Sequence, residues 1–225
     1  RVTLRTRRRD SQEGFQVSIT GGTLGETMPV GCAPGTETTV RDLFFNVPAR
    51  RKFLKSNSTE ERHITEIMSL ISLAHPDVAF ELTLDGRKII SSGAGDDRIR
   101  DIYGRDLADA MVKLDYDSGR IHIEGCITKR GVTRPSRSEQ RIFVNGRPVE
   151  SLPVYRGIKD GCGPMLDKGR YHPAVVFLTL DPALVDINVH PAKREIRFRN
   201  EFEVSMAVRD AVADAMNRAA RSANP

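Results

Sequence analysis

The segment Val185-Asp186-Ile187-Asn188-Val189-His190-Pro191-Ala192-Lys193-Arg194-Glu195-Ile196-Arg197-Phe198 decides how this chain is read, because two alternating runs flank a short break carrying a basic pair. Val185, Ile187 and Val189 fall on one face and Asp186, Asn188 and His190 on the other. The return run sets Ile196 and Phe198 against Glu195, Arg197 and Arg199. The pattern predicts two strands joined at a tip. Pro191 has no N–H to give a ladder, so the first strand should end there and leave Lys193 on a bend between two pleated arms. A lysine so placed could reach a phosphate outside its own domain. The alternative is an ordinary turn lysine beside Glu195, an exposed pair worth less than about 1 kcal/mol.

A chain of 225 residues can bury a real core, and its length fits one large domain or one domain with part of another. The formal charge of +5 and the pI near 9.3 permit contact with a polyanion without demanding it. No apolar run approaches the roughly 20 residues that span a bilayer, and the first residues are charged, so a cytoplasmic, membrane-free protein is expected. Cys32, Cys126 and Cys162 are widely separated and form no C-x-x-C pair, which predicts reduced thiols.

Residues 1 to 47 read as strands and turns, with Gly21-Gly22 at a tight turn. No helix in that stretch would cover the sheet, so further residues are expected before Arg1. Thr39 to Val47 starts as a buried-looking strand, and Pro48 suits the first turn of a helix of about two turns. Ser58 with Glu61 predicts a capping box for a helix whose Ile64, Ile67, Met68 and Ile71 share one face. Asp85-Gly86 predicts a hairpin, and Asn145-Gly146 closes the strand Gln140 to Val144. The basic stretch Lys129 to Ser138 lacks apolar periodicity and reads as a mobile loop. A helix near Ser151 to Lys159, a strand from Ala174 to Leu180 and a last helix capped by Asn200 with Glu203 complete the order.

Three stretches in this order resemble the MutL family of DNA mismatch-repair proteins: Gly35-Thr36 through Asp42-Leu43-Phe44-Phe45-Asn46-Val47-Pro48-Ala49-Arg50-Arg51-Lys52-Phe53-Leu54, then Phe143-Val144-Asn145-Gly146-Arg147-Pro148-Val149, then Val185 to Phe198. The resemblance implies an α+β fold: residues 1–55 as the end of a GHKL-type ATPase sheet, and residues 56–225 as a transducer domain. The transducer would be a ribosomal-protein-S5 domain 2-like mixed sheet with helices packed on one face. It implies ATP as cofactor, with Mg2+ bound by residues upstream of this chain. The family's general-base Glu, Mg-binding Asn, adenine loop and lid segment do not occur here, so the chain alone is expected to lack hydrolysis.

Carried across residue by residue, the resemblance makes Thr36 the threonine that supports the adenine pocket and Gly35 the turn beside it. Lys193 becomes the catalytic lysine that contacts the terminal phosphate once the two domains close, with Asn188, His190 and Pro191 positioning its loop. Arg130, Arg134, Arg137, Arg141 and Arg147 are the candidates for contact with the DNA backbone. Implied partners are DNA, a mismatch-recognition protein of the MutS type and a second copy in an ATP-dependent dimer, acting at the bacterial nucleoid. Two other readings stay open: a nucleic-acid-binding S5-like module, and a transducer piece of another GHKL ATPase such as a type II topoisomerase.

Overall fold

The computed structural model describes residues 1–95, 97–164, 166–186 and 196–222. The chain falls into two units, Arg1–Glu61 and Arg62–Pro225.

In the first unit, β1 (Val2–Arg7) lies between β2 (Gly14–Thr20) and β5 (Gly35–Val40), antiparallel to both, while β3 (Thr23–Leu24) and β4 (Met28–Val30) pair with β2. The predicted turn at Gly21-Gly22 is present, both residues having positive φ. Gly14 is the one buried residue of this unit, and Phe15, Leu24, Met28, Val40 and Phe53 are exposed. The strand expected to continue buried from Thr39 is therefore exposed, and it ends at Val40. Asp42 and Phe44 take left-handed backbone, φ 50° and 63°, which no regular strand admits, and two tight turns follow. The Pro48 helix, α1 (Pro48–Arg51), is one turn long.

The helix α2 (Asn57–Ala74) begins earlier than the predicted capping box. The amides of Thr59 and Glu60 bond Ser56 O at 2.9 and 3.0 Å, and the Glu60 carboxylate reaches back to Lys55 N at 2.8 Å. Ser56, Ser58 and Thr59 all offer hydroxyls, so spacing alone could not choose among them.

The second unit is built on one five-stranded mixed sheet. Its order is β11 (Arg147–Val149), β10 (Gln140–Val144), β12 (Ala174–Leu180), β9 (Ile121–Thr128), β8 (Met111–Asp117), with β10 and β12 parallel and the other pairs antiparallel. Asp85-Gly86 and Asn145-Gly146 turn the hairpins of β6 (Phe80–Leu84) with β7 (Arg87–Ser92) and of β10 with β11. All four residues have positive φ, which matches the twist of the flanking strands. The helices α5 (Leu152–Cys162) and α6 (Glu201–Ser222) cover one face, as expected. Asn200 Oδ1 accepts from Glu203 N at 3.1 Å, and Val204, Val208, Ala211, Val212, Ala215 and Met216 bury the predicted stripe against Ile123, Val176 and Leu178.

The opposite face carries a smaller apolar layer beyond that expectation. Alternation turns Phe143 and Val175 away from α5 and α6, toward Leu73 of α2 and toward Ile99 and Tyr103 of α3 (Arg98–Tyr103). Phe143 stacks on Phe177 with centroids 4.7 Å apart. The run Ala174-Val175-Val176-Phe177-Leu178 is apolar on both sides because both sides are covered. A short helix α4 (Arg105–Asp109) leads into β8.

Candidate functional site

Gly35 opens β5 with φ +123°, and the ladder sets Thr36 opposite Thr6 on β1. Thr6 Oγ1 donates to Gly35 O at 3.2 Å and lies 2.9 Å from Thr36 Oγ1. A hydroxyl has one proton. With that of Thr6 given to Gly35, Thr36 is the donor to Thr6 and keeps its acceptor lone pairs, and the residue is exposed on the strand at the end of this sheet.

Lys193, Asn188, His190 and Pro191 lie outside the described residues. The chain on either side of them is described. β13 (Val185–Asp186) pairs antiparallel with β14 (Arg197–Phe198), Val185 opposite Phe198 and Asp186 opposite Arg197, and Arg199 N bonds Leu184 O at 2.9 Å. Ile196 and Phe198 point into the core while Arg197 is exposed, as the alternation requires.

Four of the five arginines proposed from sequence border three clefts of the second unit, and Arg134 lines none of these. Arg141 and Arg147 border a cleft of about 270 Å3 with Ile67 and Ile71 of α2. Arg141 is 20 % exposed there and paired with Glu66 at 3.1 Å, its guanidinium near the buried Tyr103 hydroxyl without a hydrogen bond to it. Arg147 is exposed on the edge strand. Arg137 lies over the rings of Tyr155 and Tyr171, and the Tyr155 hydroxyl donates to Glu150. Arg130 borders a third cleft, of about 240 Å3, with His172 and Cys162.

The loop that holds three of them is tied down at several points, against the free loop expected. Arg134 and Tyr171 exchange backbone bonds at 2.7 and 2.9 Å, Arg134 pairs with Glu139 at 3.2 Å, and Arg170 donates to Thr133 Oγ1 at 2.9 Å. Composition hid this because the anchors on Tyr171 and Arg170 are partners distant in sequence.

Beneath the loop, Thr128 Oγ1 donates to Val132 O at 2.7 Å and lies 3.1 Å from His172 Nδ1, so the ring nitrogen carries the proton between them. Burial holds the His172 pKa below its usual value and pushes the Cys162 thiol up to about 12. All three cysteines are free, and among the described residues no cluster of three or more His, Cys, Asp or Glu side chains could hold a metal ion. No helix of the described residues is long and apolar enough to cross a membrane. Tyr155, Tyr171, Glu66 and His172 escaped the sequence reading, since a pairing such as Arg141 with Glu66, 75 residues apart, leaves no local pattern.

Fold and site together define an α+β protein in which an open antiparallel sheet precedes a helix-covered mixed sheet. The same arrangement occurs in the ATPase domain of the mismatch repair endonuclease MutL from Aquifex aeolicus, which is 25% identical with a TM-score of 0.72 over 94% of this chain and 75% of that one. A second structure of that domain, complexed with ADP, is 27% identical with a TM-score of 0.66 over 80% of this chain and 68% of that chain. Residues 99–217 match the family model described as DNA mismatch repair protein, C-terminal domain. The DNA mismatch repair protein MutL of Xylella fastidiosa strain M12 is 42% identical over 204 residues, 89% of this chain and 33% of that protein. The chain belongs to the MutL family of DNA mismatch-repair proteins, which decides between the repair and topoisomerase readings, and it spans about a third of the length of the curated relatives it matches.

Proposed function

We propose that the chain is the part of an ATP-driven mismatch-repair protein that supports the adenine, meets the terminal phosphate and touches DNA. The observation that supports this reading is the pairing of β13 with β14, which brings together the described residues on either side of the segment that contains Lys193. The acceptor lone pairs of the exposed Thr36 suit an amino-group donor such as that of adenine, and the φ of Gly35 lets the backbone turn there. ATP supplies the phosphoanhydride that is split. Lys193, delivered from the second unit as the domains close, offsets charge developing on the transferred group. The base, the metal ligands for Mg2+ and the phosphate loops belong to other parts of the protein, so this chain by itself does not hydrolyse ATP.

In this reading Arg130, Arg137 and Arg147 track a DNA backbone, and what supports it is that among the described residues no carboxylate lies within ion-pair distance of them, in contrast to Arg134 and Arg141. Arg134 and Arg141 are already paired. Work at the bacterial nucleoid with a mismatch-recognition protein of the MutS type, and ATP-dependent dimerisation, complete the proposal. In the full-length protein, Lys193→Ala should lower kcat for ATP hydrolysis by about a hundredfold with nucleotide affinity little changed. Unchanged turnover would remove the proposed role of this lysine. Replacing Arg130, Arg137 and Arg147 together by Gln should reduce the salt slope of DNA binding by about one for each phosphate that is no longer neutralised, and an unaltered slope would free these residues of any backbone role.

A further inference from the structure

The cleft beside Arg137 combines features that binding a phosphate does not by itself require. Tyr155 on α5 and Tyr171 just before β12 hold the Arg137 guanidinium over their rings, with Cζ 4.8 and 5.7 Å from the centroids. They border a space of about 220 Å3, floored by the buried Ile158 and Cys162, and the exposed Arg156 and Lys159 stand at its mouth. Leu152, 56 % exposed, adds an apolar lip. Among the described residues no carboxylate lies within ion-pair distance of Arg137, so its plane is held by aromatic faces and its charge stays available.

Aromatic faces, a planar cation, an apolar floor and a cationic rim are the requirements of an unpaired base with its flanking phosphates. The volume falls below the roughly 300–1,000 Å3 that enclose drug-sized ligands, so the space suits one ring system with the sugar and phosphate left outside. Bases stacked inside a duplex cannot enter it without being turned out. The side-chain amide of Gln140, a polar group on the wall, donates one N–H to His172 O at 3.0 Å.

We infer that this cleft accepts a single unstacked nucleobase of a strand, laid against the Arg137–tyrosine layer with its phosphates on Arg156 and Lys159. The inference rests on the DNA reading proposed above and names a subsite within it. The full-length protein would be titrated with two fluorescent single strands of about 16 nucleotides, one an oligothymidylate and the other abasic throughout. The base-bearing strand should bind about tenfold more tightly. Arg137→Lys keeps the charge and loses the plane, so it should erase that preference by weakening the base-bearing strand about tenfold more than the abasic one, with the salt slope of both unchanged. Tyr171→Leu should act the same way, and Tyr171→Phe, which keeps the ring, should retain the preference. Equal binding of both strands by the unaltered protein, or an equal weakening of both by Arg137→Lys, would overturn the base subsite while leaving backbone binding intact. Failure to bind either strand would overturn the DNA reading along with it.

Discussion

Gly125 lies inside β9 with φ +129°, and a methyl group there would come within 2.0 Å of Val175 O on the neighbouring strand. Two penalties coincide: a backbone region that L side chains avoid, and a collision with backbone that cannot step aside. Gly125→Ala should therefore cost about 3 kcal/mol or more in urea unfolding followed by circular dichroism, and a loss below about 1 kcal/mol would contradict this packing. His172 is 4 % exposed, and burial depresses its pKa below the ordinary 6.5. Its unfolded form takes up a proton at a higher pH than its folded form. Stability supplied by the neutral ring is thus fully present above about pH 6.5 and drains away as pH falls toward the lower folded value. Unfolding midpoints measured between pH 8 and 5 should decline over the acidic half, and His172→Asn should flatten that decline. Neither residue was legible in sequence. A glycine in an alternating run and a histidine before a proline look alike whether they are buried or exposed, because the partner that decides the matter comes from another strand.

The pair α5 and α6 shows what an element-scale pattern reveals and conceals. The stripe on α6 and its Asn200 cap could be read directly, since both are local and periodic. The closeness of the two helices could not. A Cβ at Gly157 would meet Ser205 O at 2.5 Å and Val208 Cβ at 2.7 Å, and one at Gly161 would meet Arg209 O at 2.6 Å and Val212 Cβ at 2.7 Å. In an isolated helix Gly→Ala gains up to about 1 kcal/mol. Here Gly157→Ala and Gly161→Ala should each destabilise by about 1–3 kcal/mol, reversing that sign, as thermal melts would record. The hairpins at Asp85-Gly86 and Asn145-Gly146 were legible because the turn chemistry is carried by two adjacent residues. The stretch after Val40 misled because its apolar residues suggested a buried strand, whereas the left-handed residues Asp42 and Phe44 turn the chain and leave Leu43 exposed.

For the whole molecule, the two units differ in how much they bury. The first has a full ladder of backbone bonds yet buries no apolar side chain among its described residues, whereas the second packs apolar side chains on both faces of its sheet. Residues 62–225 expressed alone should unfold cooperatively, and residues 1–61 alone should show fast amide exchange throughout. Slow exchange in the isolated first unit would refute this division of stability. The order of motifs carried the family in the sequence itself, and alternation carried the mixed sheet. The second apolar layer could not be read, because a continuous apolar strand does not say what stands on either side of it. The place of β12 has a consequence for synthesis. It is the last strand of the sheet to be made and lies between β9 and β10, which do not pair with each other. Once Val149 has cleared the exit tunnel, two hairpins stand with nothing between them, and the sheet cannot close until Leu180 has left the tunnel as well. Throughout that interval the apolar edges of β9 and β10 stay open, so a pause there prolongs the exposure most prone to aggregation.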